Sequence, residues 1–282
     1  MKTLGIVRWP AYIRAIVAGL VVALPAANVW PILLLALGAP LAAVAEAIFL
    51  ALFIWWASGG GPPRTAHFDR ANAFRCGALS SSQWFWGMVA ALCFAVTIHA
   101  SIVVLFRLVL FPVADFRRGY DFSFIPTAPL RWLAVVISAS SAGICEETGF
   151  RGYMQRPLEL SHGTPAAILT SSLLFTMLHL NKGWALAGMV PIVFSAGILL
   201  GLLAWSSGSL LYCIIGHTIM DIGLFAYWWT GIAGDFTLRP IGETGADRAF
   251  VIACITAFAM LAITLFAIRK LRSLRPDAKL GK

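Results

Sequence analysis

Eight blocks of this 282-residue chain are apolar over lengths that suit a bilayer: 11–29, 32–56, 84–113, 130–150, 165–180, 184–205, 209–229 and 249–268. A spanning helix needs roughly 20 predominantly apolar residues. The charged residues, only 12% of the chain, fall mostly between the blocks. This pattern predicts an all-α, polytopic integral membrane protein with about eight transmembrane helices. Pro25, Pro31 and Pro40 interrupt the first two blocks, so one of these is expected to be kinked, tilted or re-entrant.

The bases are unevenly placed. Lys2, Arg8 and Arg14 stand at the first block, Arg64, Arg70 and Arg75 follow the second, and Arg269, Lys270, Arg272, Arg275, Lys279 and Lys282 follow the last. The loops at 114–129, 181–183 and 230–248 hold Asp115, Asp121, Asp235, Glu243 and Asp247. The positive-inside rule then predicts cytoplasmic termini and a cytoplasmic 58–83 segment, and compact loops point to a bacterial inner membrane. The net charge of +9 reads as this orientation signal plus attraction to anionic lipid, with no basic face suited to nucleic acid. The N-terminus is expected to be an uncleaved first span rather than a signal peptide, because hydrophobicity resumes after Trp30.

Gly59-Gly60-Gly61-Pro62-Pro63 opens a linker expected to be flexible as far as Gln83. It divides an N-terminal two-span unit and linker, 1–83, from a core at 84–268 and a frayed basic tail at 269–282. The five cysteines, Cys76, Cys93, Cys145, Cys213 and Cys254, form no CxxC and read as small hydrophobes. A thiol or serine hydrolase built on Cys145, Ser138, Ser140 or Ser141 is disfavoured, since small residues in spans are packing devices. Gly197-x-x-x-Gly201 reads as a packing seam on the same grounds, and Glu46 and Arg107 as residues that pair or snorkel.

Against this apolar background, Glu146-Glu147 stands out directly after an uncharged run from Leu133 to Ile144. An ionisable group near mid-bilayer costs roughly 2.5–3.5 kcal/mol even on the lenient insertion scale. Glu147 and Arg151 are four apart and face each other on a helix, which predicts a structural ion pair. Glu146 is turned away by roughly 100° and stays available as a base. Arg151 is expected at the cytoplasmic end of its helix, within reach of water. His179 closes a later span, and His217 and Asp221 share one face of another, where Asp221 would fix the imidazole tautomer.

One carboxylate and two imidazoles on three spans meet the needs of water activation: a base, a proton shuttle and a donor to an oxyanion. The same Glu146, His179 and His217 would also serve as a zinc triad with an open fourth position. Their spacing does not choose between the two, since no HExxH is present.

Glu146-Glu147-x-x-x-Arg151, Phe175-x-x-x-His179 and His217-x-x-x-Asp221 resemble, in order and spacing, the three signature motifs of the CPBP family. These are the CAAX prenyl proteases and bacteriocin-processing or immunity proteins, also called the Abi family. Phe150-Arg151-Gly152-Tyr153-Met154-Gln155 and the stretch from Gly197 to Trp205 fit as well, so the resemblance covers about 130–229. It implies an all-helical intramembrane endopeptidase, which in the eukaryotic branch removes the last three residues of a prenylated CAAX protein. By position, Glu146 and His179 would activate water, Glu147 and Arg151 would support them, and His217 with Asp221 would form the oxyanion pocket.

The family is often labelled metalloprotease, but a metal-independent glutamate mechanism is the preferred expectation here, with zinc as the alternative cofactor. Asp221 holds a position often occupied by Asn, and an ionised Asp cannot donate to an oxyanion. Thr148 and Gly149 are expected to leave room without touching the motif. The expected partners are membrane lipids and a lipidated or membrane-associated peptide entering laterally. Two rival functions use the same residues: a proton- or ion-coupled transporter, and a non-catalytic immunity or chaperone-like scaffold of the same family.

Overall fold

The computed structural model describes residues 9–75, 77–109, 122–180, 188–234 and 239–275. Lys2, Arg8, Cys76, Asp115, Asp121, Asp235, Lys279, Lys282 and the 181–183 loop lie outside the described residues. Within them the chain is helical and holds no strand.

The first helices are α1 (Ala11–Ala23) and α2 (Pro25–Leu37), which meet at Leu24, itself helical. Pro25 opens α2, where its missing N–H costs little. The first span therefore runs on to Leu37 instead of stopping near residue 29. The break comes at Gly38, whose φ of 74° suits glycine, ahead of α3 (Ala39–Ala57). Then come α4 (His67–Phe74) and α5 (Ser81–Leu108), the latter opened by a Ser80/Gln83 capping box.

Helix α6 (Ala128–Glu147) passes through a π-helical stretch, Thr148–Met154, into α7 (Gln155–His162). Gly163 turns the chain into α8 (Thr164–His179), and α9 (Val190–Ser207) ends at Gly208. Helix α10 (Leu211–Gly223) continues into a second π stretch, Leu224–Trp229. After α11 (Ile241–Thr244) comes α12 (Arg248–Leu274), capped by the Asp247 side chain on the Phe250 N–H. Seven of the described segments are long and apolar enough to cross a membrane: 11–37, 39–57, 81–108, 128–162, 190–207, 211–229 and 248–274. The expected span at 165–180 appears as the shorter apolar helix α8.

The main core gathers Phe94, Ile98 and Ile102 of α5, Leu200 and Leu203 of α9, Tyr212 of α10 and Leu271 of α12. Every residue of this set is nearly or wholly buried.

The segment expected to be a flexible linker is instead tied down. Arg70 donates to the carbonyls of Trp56, Gly59, Gly60, Gly61 and Pro63 at 2.7–3.2 Å, and its guanidinium lies 5.3 Å from the Trp56 ring centre. Carbonyls left over at the end of α3 need donors, and a planar five-donor fork can serve several at once. Arg75, at φ 56°, then joins the segment to the core through Ala204 O at 3.0 Å and Glu159 Oε1 at 2.9 Å. Gly149 lies where α1 crosses the π stretch. A Cβ there would fall 2.5 Å from Gly19 O, and one on Gly19 would fall 2.5 Å from Met154 Cβ.

Candidate active site

Gly143, one turn ahead of Glu147 on α6, lets α10 come close: a Cβ on it would sit 2.3 Å from Thr218 Oγ1 and 3.1 Å from Ile214 O. That approach brings His217, next to Thr218, against the paired glutamates. His217 Nδ1 lies 2.8 Å from Glu147 Oε1, and a carboxylate can only accept, so this nitrogen carries the proton. On the other side of the ring, Nε2 lies 3.4 Å from Asp221 Oδ2 and 4.0 Å from Glu146 Oε2. The two consecutive glutamates therefore face opposite nitrogens of one imidazole.

The Glu147–Arg151 pair forms as expected, at 3.3 Å, with both side chains fully buried. Arg151 sits on the π stretch, an irregularity that often marks functional sites. Its second amino group donates to Gly197 O at 3.2 Å, and its guanidinium lies over the Phe175 ring, 4.6 Å from the centroid. Gly197 and Gly201 do form a tight seam: Cβ atoms there would meet Ser172 Cβ and Gln155 Oε1, each at 3.0 Å. The seam also exposes carbonyls, since Gly201 O accepts from Gln155 Nε2 at 2.9 Å.

Phe175 joins the two imidazoles. Its ring centre is 4.5 Å from that of His179 and 5.9 Å from that of His217. His179 Nδ1 donates to Phe175 O at 2.8 Å, which orients Nε2 outward from its own helix. Glu146 retains 19% of its side-chain surface exposed, whereas Glu147 retains none.

Two expectations need correction. Arg151 does not end its helix at a wet boundary; the chain remains helical to His162, and Arg151 is 0% exposed. Glu147 is more than a partner for Arg151, because the tautomer-fixing contact expected of Asp221 is made by Glu147 Oε1, which both Arg151 and His217 share. Asp221 stands at the longer distance, on the Nε2 side.

Glu46 and Arg107 do pair. Ser141 Oγ donates to Glu46 Oε1 at 2.7 Å, and Arg107 grips Asp247 at 2.8 and 3.1 Å. Cys145 is wholly buried. Glu147, Arg151, Gln155 and Glu159 recur at four-residue spacing, and Gln155 Nε2 also reaches Glu159 Oε1 at 2.8 Å. That spacing is visible in the chain, and it is the signal that identifies Gln155 and Glu159. Gly143 left no local signal.

Among the described residues no three His, Cys, Asp or Glu side chains form a metal-holding group. The donors do not converge around His217, whose two nitrogens face different carboxylates.

These features define a polytopic α-helical integral membrane protein with a buried glutamate–histidine–arginine centre. Residues 126–223 match the family model described as Rce1-like, type II CAAX prenyl endopeptidase, of the CPBP family. The resemblance drawn from the three motifs thus holds for this segment, which contains all six candidate residues. No curated protein and no solved structure matches the chain.

Proposed function

We propose that the protein is an intramembrane endopeptidase that hydrolyses a peptide bond near the C-terminus of a lipidated or membrane-associated substrate, with water activated by Glu146. The carrying observation is the placement of Glu146 and Glu147 on opposite nitrogens of His217. Glu147, balanced by Arg151, holds the Nδ1 proton and fixes the ring. Glu146, partly exposed, takes a proton from water and directs the hydroxide at the scissile carbonyl.

Carrying a second proton, His217 donates from Nε2 to the developing oxyanion; Asp221 accepts that proton's hydrogen bond until the oxyanion forms. The proton that Glu146 takes up is returned to the leaving amine, and His179 is suited to carrying it there. The family match over residues 126–223 supports peptide hydrolysis, and the basic 58–83 segment supports a cytoplasmic entrance in an inner membrane. The preferred reading uses no metal.

The test is mass spectrometry of a prenylated CAAX-type peptide after incubation with purified protein in nanodiscs, with and without chelator. One C-terminal cut that survives chelation is expected. Proton or ion flux without cleavage would move the protein to the transporter class, and cleavage abolished by chelation and restored by zinc would overturn the metal-free mechanism.

A further inference from the structure

Helices α5 and α10 lie side by side, and small residues set how close they come. A Cβ on Gly87 would meet the Tyr212 ring, and one on Gly216 would fall 3.3 Å from Ala91 Cα. Further along both helices His99 stands opposite Gly223. A Cβ on Gly223 would fall 2.5 Å from His99 Cε1 and nearer still to its Nε2, so only glycine admits the ring in this position. The ring uses that space to place Nε2 3.0 Å from Met220 O. A carbonyl can only accept, so His99 donates from Nε2.

The carbonyl it reaches lies where regular α winding ends. The Leu224 N–H is shared between Asp221 O and Met220 O at the change into the π stretch. Met220 O thus takes a second donor from outside its own helix. The planar peptide unit that carries this oxygen also carries the Asp221 N–H, so holding its plane fixes where the Asp221 side chain begins. Asp221 Oδ2 stands 3.4 Å from His217 Nε2, one turn away on the same helix.

Packing alone would be met by an apolar side chain, as it is at Phe94 and Ile98 of the same helix. A polar ring inside a span is costly to bury unless its hydrogen bonding is used. Here that hydrogen bond goes to the turn bearing the candidate site. We infer that His99 is a positioning residue: through Met220 O it sets the Asp221 carboxylate against His217 Nε2. Its effect on turnover rests on the endopeptidase reading of the site, whereas its effect on the His217–Asp221 pair does not.

The test joins turnover of the prenylated CAAX-type peptide to solid-state NMR of the full chain in bilayers, with its five histidines labelled with ¹⁵N. The His217 Nε2 signal is assigned by its loss in His217→Asn. His99→Phe keeps a ring but no donor, and kcat is expected to fall about 10-fold at constant KM, with the His217 Nε2 signal displaced. His99→Gln, whose side-chain amide can donate to the same carbonyl, is expected to restore both. Should His99→Phe fail to fold, Gly223→Ala gives the same reading, because its methyl expels the ring while alanine suits a helix better than glycine.

An unmoved His217 signal in the variant that folds would overturn the proposal. So would a rise in KM at constant kcat, or a loss that His99→Gln shares in full. A wild type that cleaves nothing would end the endopeptidase reading alone. The NMR comparison then decides: a displaced His217 signal that His99→Gln restores upholds the positioning role, and an unmoved one overturns it.

Discussion

Arg151→Ala removes the guanidinium that the structure sets against Glu147. Both side chains are fully buried at 3.3 Å, so the variant leaves a buried carboxylate without its arginine partner. Breaking a buried pair from one side costs about 3–5 kcal/mol. The guanidinium also lies 4.6 Å from the Phe175 ring centre and donates to Gly197 O. A desolvated cation–π contact is worth about 2 kcal/mol, but these contributions overlap, so a total near 5 kcal/mol is the sounder figure. At about 2–4 °C per kcal/mol, the melting temperature in detergent should fall by about 10–20 °C, with a lower folded yield.

Scanning fluorimetry of purified protein reads this directly. A double variant, Glu147→Gln/Arg151→Met, removes both charges and should recover about 2–3 kcal/mol relative to the sum of the single effects. A melting point for Arg151→Ala within about 2 °C of wild type, or strict additivity in the cycle, would refute a strong buried pair.

Glu147→Gln should cut turnover more deeply than Asp221→Asn, by about 10²–10⁴-fold against about 10-fold, because Glu147 makes the 2.8 Å contact that fixes the His217 tautomer; steady-state kinetics on the same peptide would show this. Gly149→Ala should loosen α1 and cost about 1–3 kcal/mol, read as a lower melting point, because the new methyl meets the Gly19 carbonyl at 2.5 Å. The hydrogen bond from Arg107 to Asp247, with help from the Phe250 N–H, holds the Asp247 carboxyl below its usual range. Its folded value lies under its unfolded one, so its stabilising contribution is present at neutral pH and is lost as pH falls through the folded value. Melting curves taken from about pH 6 down to about pH 2 should show this loss in wild type and less of it in Arg107→Gln.

How much of this was legible in the chain depended on whether the interaction was local. Apolar block lengths revealed the spans, and i,i+4 spacing revealed the Glu147–Arg151 pair, because both follow from the geometry of one helix. The contact between His217 and Glu147 joins residues 70 positions apart, and no local period encodes it. The motifs brought these residues to attention, but the roles of Glu147 and Asp221 depended on which nitrogen each one faces.

The π stretch after Glu147 is equally hidden, since a slip in hydrogen bonding there is settled by what packs against it, including α1 at Gly19. Glycine and proline after α3 suggested a loose linker. One arginine, Arg70, reversed that by gathering five carbonyls that no helix could serve. The end of the first span moved from about residue 29 to Leu37 because a proline inside a helix bends it without ending it, whereas Gly38 at positive φ does end it.

The central claim is that Glu146 is the base, and the most direct measurement is turnover by Glu146→Gln alongside its melting curve. Gln has nearly the same shape and cannot take a proton from water. Glu146 lies 4.0 Å from His217 Nε2 and keeps 19% of its side-chain surface exposed, whereas Glu147 is fully buried. The expected result is a fall in kcat of about 10²–10⁴-fold or more, with the melting temperature within about 2 °C of wild type. Cleavage by Glu146→Gln at a rate near wild type would contradict the claim, and so would a loss of activity accompanied by an equal loss of fold.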